Sequence, residues 1–264
     1  MKRQSMTTIR IVMFTMLMNL TSPGCSLWSA AESAADPDLF AAVRKGDLQA
    51  VKQLVREHPE LVNVTGKDNT TPLHESGSKA IAELLIGGGA AIDTEDKYIG
   101  TPLHKAAFYA NQDVAELLIA QGADVNAKNR LDGKTALHIV AWGALTDFME
   151  LLIANGADLN AQDNYGRTAL HYAAQFGHTK AAKLLVAKGA KLDIQDLHFG
   201  KTPLHWGVEW GTPDRWEVID LLIAKGAALN VKNNFAMTPL DYAIKNGRTE
   251  LAASLRKHGA KPGG

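Results

Sequence analysis

The chain has 264 residues, 46% of them in the broad apolar class and 21% charged, with a formal net charge of zero. That composition can build a packed core and excludes a multispan membrane protein. Lys2, Arg3 and Arg10 sit at the N-terminus, so without them the 28 basic residues fall to 25 against 28 acidic ones. A slightly acidic body argues against nucleic acid as a partner. A single cysteine, Cys25, rules out an internal disulfide.

The basic start leads into an apolar run, Ile11–Leu20, broken only by Thr15 and Asn19. Ten residues of helix cross about half of a bilayer core, which is too short for a membrane span and fits a secretory signal. Residues 1–24 are therefore predicted as a signal peptide and 25–35 as a flexible linker. The protein is expected to be exported, and periplasmic or anchored in the outer membrane if bacterial. Ser22-Pro23-Gly24-Cys25 resembles a bacterial lipoprotein signal, in which the cysteine receives lipid, although Ser22 and Pro23 depart from its pattern. Ser29-Ala30-Ala31 offers instead the small-x-small pattern of ordinary cleavage, after residue 31. Cys25 is the candidate lipidation site, and a lipid there is the one membrane attachment expected.

The body begins at Asp36. Asp36-Pro37-Asp38 is a good helix start, Gly46-Asp47 separates two helical segments, and Pro59 limits the second. This stretch, 36–65, reads as an N-terminal cap. Six tetrapeptides follow, beginning at Thr71, Thr101, Thr135, Thr168, Thr202 and Thr238, at spacings of 30, 34, 33, 34 and 36 residues. Five read Thr-Pro/Ala-Leu-His and the last reads Thr-Pro-Leu-Asp. Thr suits a helix cap, Pro suits the first helical position, and Leu faces the core. Small pairs such as Ala106-Ala107 and Ala173-Ala174 let helices approach closely. A second apolar helix then ends on a glycine suited to a left-handed cap. The undistorted copy is Asp163–Gln195; it is too small to bury its own apolar face and must stack on neighbours.

A period near 33 residues, Thr-Pro-Leu-His, an internal Gly-His such as Gly177-His178, and a Leu-Leu-Ile…Gly-Ala…Asn ending together resemble the ankyrin repeat proteins. The resemblance covers Asp36 to about Lys261. It implies an all-α solenoid of helix-turn-helix units joined by β-hairpin-like loops, with about seven repeats including caps. The repeats are 66–95, 96–128, 129–162, 163–195 and 196–232, followed by a C-terminal cap, 233–264. It also implies that hairpin tips and inner helices form a concave binding surface.

Two units depart in length. The stretch from Thr71 to Gly89 is about one turn short near Glu75–Lys79, and that from Thr202 to Gly226 is extended around Thr212-Pro213-Asp214. Two hairpins carry one extra residue, and the last unit has Ala236 where glycine is usual and Asp241 where His is usual.

The histidines His74, His104, His138, His171 and His205 form a ladder, but no cysteine or paired His at ligand spacing accompanies them. The resemblance implies that they tie hairpins together, so no metal or other cofactor is expected. No phosphate loop, nucleophile elbow or HExxH occurs, and an enzyme is not expected. The functional signal is aromatic placement. Tyr98, Tyr165, Phe199 and Phe235 align at hairpin tips, and Phe108, Tyr109, Trp142, Phe176 and Trp210 fall near inner-helix ends. Lys97, Arg130, Lys134, Arg167 and Lys201 lie at the same tips and are expected to add a cationic rim. The partner-binding set is therefore these nine aromatics with Arg130 and Arg167. Phe40, Phe148, Tyr172, Trp206 and Tyr242 read as packing. The reading is a monomeric, non-catalytic adaptor or inhibitor of the envelope that binds a protein of unknown identity on aromatic anchors. Carbohydrate or envelope-polymer binding through the same rings is the alternative.

Overall fold

The computed structural model of the protein describes residues 38–210, 212 and 215–264. The expected signal peptide, Cys25, the linker and the first two residues of the N-terminal cap lie outside them. Each tetrapeptide opens a short inner helix, and a longer apolar outer helix returns antiparallel to it. The pairs are α1 (Leu39–Lys45) and α2 (Leu48–Glu57), α3 (Pro72–Glu75) and α4 (Lys79–Gly87), α5 (Pro102–Phe108) and α6 (Gln112–Ala120). They continue with α7 (Ala136–Trp142) and α8 (Thr146–Ala154), α9 (Ala169–Phe176) and α10 (Thr179–Ala187), α11 (Pro203–Trp210) and α12 (Trp216–Ala224), and α13 (Pro239–Lys245) and α14 (Thr249–Lys257). Short 3₁₀ turns at Pro59–Asn63 and Lys67–Asn69 join the first pair to the second. Each inner helix packs on its own outer helix and on the inner helices before and after it.

The tetrapeptide leucines, Leu73, Leu103, Leu137, Leu170, Leu204 and Leu240, are all buried. Each is worth about 1.5–3 kcal/mol of apolar burial. Ala107, Ala141, Ala173 and Ala174 fill the inner-helix contacts, where a larger residue would push neighbouring helices apart. A glycine follows each outer helix from α4 onward, and Gly189 (φ 94°) shows why: this backbone conformation strains a residue with a Cβ.

The histidine ladder joins the units. In every copy the ring Nδ1 accepts the backbone N–H of the tetrapeptide Thr, at 3.0–3.2 Å. With Nδ1 accepting, Nε2 must carry the proton and donate. It donates to the carbonyl just before the next unit's Thr: Gly100 (2.9 Å), Lys134 (2.9 Å), Arg167 (3.0 Å), Lys201 (3.1 Å) and Met237 (3.2 Å). A second tie uses the asparagine after the outer helix. Asn126 accepts the Asp158 N–H (2.8 Å) and donates to the Gly156 carbonyl (3.0 Å), and Asn63 and Asn230 do the same to their own neighbours. In the last unit Asp241 accepts from Thr238 N–H (2.7 Å) and from Gly263 N–H (2.8 Å) in the returning tail. Burial alone would raise its carboxyl, but the amides of Thr238 and Gly263 and the Thr238 hydroxyl hold it below the ordinary value.

The loops that join the units are hairpin-like, as the all-α reading expects. Among the described residues they contain no β-strand; neighbouring tips are joined by single amide bonds, such as Leu197 N–H to Tyr165 O at 2.8 Å. The shortened unit has lost its turn from the inner helix, leaving α3 with only Pro72–Glu75. The insertion falls between α11 and α12, where it leaves both stacked faces in place.

Burial pushes all five ladder histidines below the ordinary value, His138 and His171 to about 4. In the unfolded chain they titrate near 6.5. The unfolded state therefore binds more protons between these values, and stability is lost as pH falls from about 6.5 to about 4. The urea midpoint of the repeat domain should be flat from pH 8 to 7 and drop steeply below about 6.5. A His171→Gln variant should weaken the drop, and a pH-independent midpoint would contradict the neutral ladder.

Candidate functional site: hairpin tips and inner-helix ends

Five successive hairpins are each built on a buried root side chain: Asp96, Asn129, Asp163, Asp196 and Asn233. Asp96 Oδ1 accepts the amides of Tyr98, Ile99 and Gly100 at 3.0, 2.6 and 2.8 Å, which folds the tip back on itself. The other roots accept tip amides in the same way. In the last three repeats an aromatic of the inner helix braces the root. Tyr172 Oη donates to Asp163 Oδ2 at 2.7 Å, Trp206 Nε1 donates to Asp196 Oδ2 at 2.7 Å, and Asn233 Nδ2 donates to Tyr242 Oη at 2.9 Å. Burial raises the Tyr172 phenol, which keeps it a donor. With the root fixed, the tip side chains are held outward: Tyr98, Leu131, Tyr165, Leu197, Phe199 and Phe235 are all exposed.

The cationic rim does not form as expected. Lys97 pairs with Asp68 (3.8 Å), Arg130 with Glu95, Lys134 with Asp132 (2.7 Å), Arg167 with Asp163 (3.2 Å) and Lys201 with Glu209 (2.7 Å). Each of these cations is matched by a carboxylate. Lys201 departs furthest, because it is buried. Its Nζ sits 4.8 Å from the Phe199 ring, 4.9 Å from Trp206 and 4.8 Å from Tyr242, an internal cation–π cage. Arg167 likewise lies over the rings of Tyr165 (4.8 Å) and Tyr172 (4.6 Å).

The family model for ankyrin repeats, described as three copies, matches residues 39–129, 126–196 and 189–263, nearly the whole described region. The chain is an ankyrin repeat protein. It is similar to Ankyrin repeat and SAM domain-containing protein 6 of Mus musculus, 36% identical over 37% of this chain and 12% of that protein. It is 34% identical to Protein phosphatase 1 regulatory subunit 27 of Mus musculus over 33% of this chain and 58% of that protein. Putative ankyrin repeat protein YahD of Escherichia coli (strain K12) is 38% identical over 32% of this chain and 46% of that protein. The matched stretch is thus about an eighth of the first relative and about half of the other two. Ankyrin repeats mark the chain as a protein–protein interaction module.

Within this ankyrin stack the predicted aromatics divide into two groups. Tyr98, Tyr109, Tyr165, Phe199, Trp210 and Phe235 are exposed. Phe108, Trp142 and Phe176 are half-buried. Trp142 and Phe176 meet across two units at 6.5 Å, Phe176 stacks on His178, and Phe108 packs against the core and Tyr109. Sequence reasoning passed over Leu131 (61% exposed) and Leu197 (69% exposed), which continue the tip row between the rings. Their position one or two residues after the hairpin root was the available signal. Trp206 and Tyr242 are buried as expected, and they also line a hollow of about 450 Å³ together with Phe199, Trp210 and Phe235. A smaller hollow of about 220 Å³ lies where α3 is short, beside the Glu75–Lys105 ion pair (2.6 Å) and Tyr109. Both nitrogens of every ladder histidine are engaged in hydrogen bonds, so neither is open to a metal.

Lys201→Met should cost about 1–3 kcal/mol in urea denaturation, because it leaves the half-buried Glu209 without its partner. Adding Glu209→Gln should recover most of that loss. If the single variant is as stable as wild type, the caged pair contributes nothing.

Proposed function

We propose that the chain is a non-catalytic interaction module, exported to the cell envelope, that holds one protein partner along the hairpin tips and inner-helix ends. The supporting observation is the row of exposed rings and leucines in successive units, Tyr98, Leu131, Tyr165, Leu197, Phe199 and Phe235, flanked by Tyr109 and Trp210 on the inner helices. Solvent alone favours polar residues at such positions, and large rigid side chains are the usual energetic anchors of protein interfaces. Because the five tip cations are paired within the chain, affinity rests on apolar contact more than on charge. A relative named as a protein phosphatase 1 regulatory subunit is in keeping with a chain that acts through a partner protein, here as an adaptor or inhibitor.

Replacing the exposed Tyr98, Tyr165 and Trp210 with Ala should abolish capture of the partner crosslinked and purified from native envelopes. The helical signal and melting temperature should stay near those of wild type. Wild-type capture should persist in about 0.5 M salt, where surface charge is screened within a few ångströms. Survival of capture in the triple variant overturns the assignment, and a glycan pulldown that needs Trp142 and Trp210 would replace the protein partner with a carbohydrate.

Export and lipidation are a separate part of the proposal, supported by the basic start, the Ile11–Leu20 run and Cys25 directly behind it. Cys25→Ser should release the protein from membranes and remove the mass of the lipid. Unchanged mature mass and unchanged membrane association would leave cleavage after residue 31 as the processing route.

A further inference from the structure

The hollow at the C-terminal end of the aromatic row carries more chemical information than the row itself. Its walls are the rings of Trp206, Trp210 and Phe235, of which Trp210 (55%) and Phe235 (63%) are largely exposed. At about 450 Å³ it has room for one large side chain with adjoining backbone. Within it the Lys201 ammonium lies among three rings and is neutralised by Glu209 at 2.7 Å. Lys201 therefore engages the inner rings, Phe199, Trp206 and Tyr242, while Trp210 and Phe235 are left to a ligand.

One further charge faces the hollow. Lys245, at the end of α13, lines it and has no carboxylate partner among the described residues. Lys97, Lys105, Arg130, Lys134, Arg167 and Lys201, on the same side of the stack, are each paired with a carboxylate. With Lys201 and Glu209 cancelling, Lys245 is the one charge left unmatched among the residues that line the hollow. A cationic side chain is repelled by Lys245, whereas an apolar side chain beside a carboxylate is complementary in both shape and charge.

We infer that this hollow is the anchor subsite for an acidic peptide segment of the partner, taking one large apolar side chain against Trp210 and Phe235 with a carboxylate beside Lys245. The inference rests on the protein-partner reading above, and adds which end of the row holds the anchor and what chemistry it selects.

The test uses small probes that carry one indole and differ in charge: N-acetyl-L-tryptophan (anionic), N-acetyl-L-tryptophanamide (neutral) and tryptamine (cationic). Each is titrated into the ¹⁵N-labelled repeat protein while the indole N–H signals of Trp206 and Trp210 are followed. The anion should bind about two- to fivefold tighter than the neutral amide, as one exposed charge pair allows, and tryptamine should bind weakest. Lys245→Gln should bring the anion and the amide to similar affinity without loss of amide binding, and Trp210→Ala should abolish both. Trp210 is exposed, so its loss should leave the fold intact, and the Lys245→Gln arm does not depend on it. Equal affinities in the wild type, a preference for tryptamine, or no saturation up to about 10 mM overturns the subsite. Any of these results does so even if Tyr165 still governs capture of the partner. Saturable, anion-preferring binding supports the subsite whatever the triple aromatic variant does.

Discussion

The stack depends on one hydrogen bond, repeated: a neutral imidazole whose Nε2–H reaches the carbonyl that precedes the next unit's threonine. The bond works only in one tautomer, and the threonine amide fixes that tautomer by donating to Nδ1. A protonated ring could donate from Nε2 but could no longer accept at Nδ1, so the helix cap and the link between units share one proton state. Burial secures that state, because a buried imidazolium is costly. Local capping and long-range stacking are thus not independent contributions. Removing the imidazole loses both, which is the coupling expected where no unit is stable alone.

The same framework turns rigid hairpins into a display. The root carboxylates and amides collect tip amides at hydrogen-bonding distance, and the inner-helix aromatics Tyr172, Trp206 and Tyr242 brace those roots from inside. The exposed side chains consequently stand on a fixed backbone and touch one another and the tip cations, as Tyr165 touches Arg167 and His198. Tyr165 and Phe235 face solvent because the backbone under them is already satisfied. Ordering them beforehand reduces what a partner must spend on immobilising side chains.

The fold was legible in the sequence because its determinants are local and repeated: Thr, Leu and His within four residues, and a glycine about twenty residues on. Length changes were legible for the same reason, and each fell in a turn or at a helix end. Ring positions were legible by alignment. The charges were not, because the partners of Lys97, Arg130 and Lys201 stand 29, 35 and 8 residues away, at distances set by stacking or helix geometry. Lys201 is the clearest case. As sequence it is one more basic residue at a tip, and only the rings of Phe199, Trp206 and Tyr242 closing around it make it an interior group. Leu131 and Leu197 were overlooked for the opposite reason, since aliphatic residues are the expected material of a core and only their exposure marks them.

Asp241 gives the ladder a direction and an end. Every histidine before it hands a proton forward to a carbonyl of the next unit; a carboxylate can only receive. It receives from Thr238 behind and from Gly263 in the tail that folds back over it. A further unit joined at this position would present a carbonyl to a carboxylate, two acceptors with no proton between them. The polarity of a single side chain thus reverses the direction of the link, from a ring that donates to a carboxylate that collects amides.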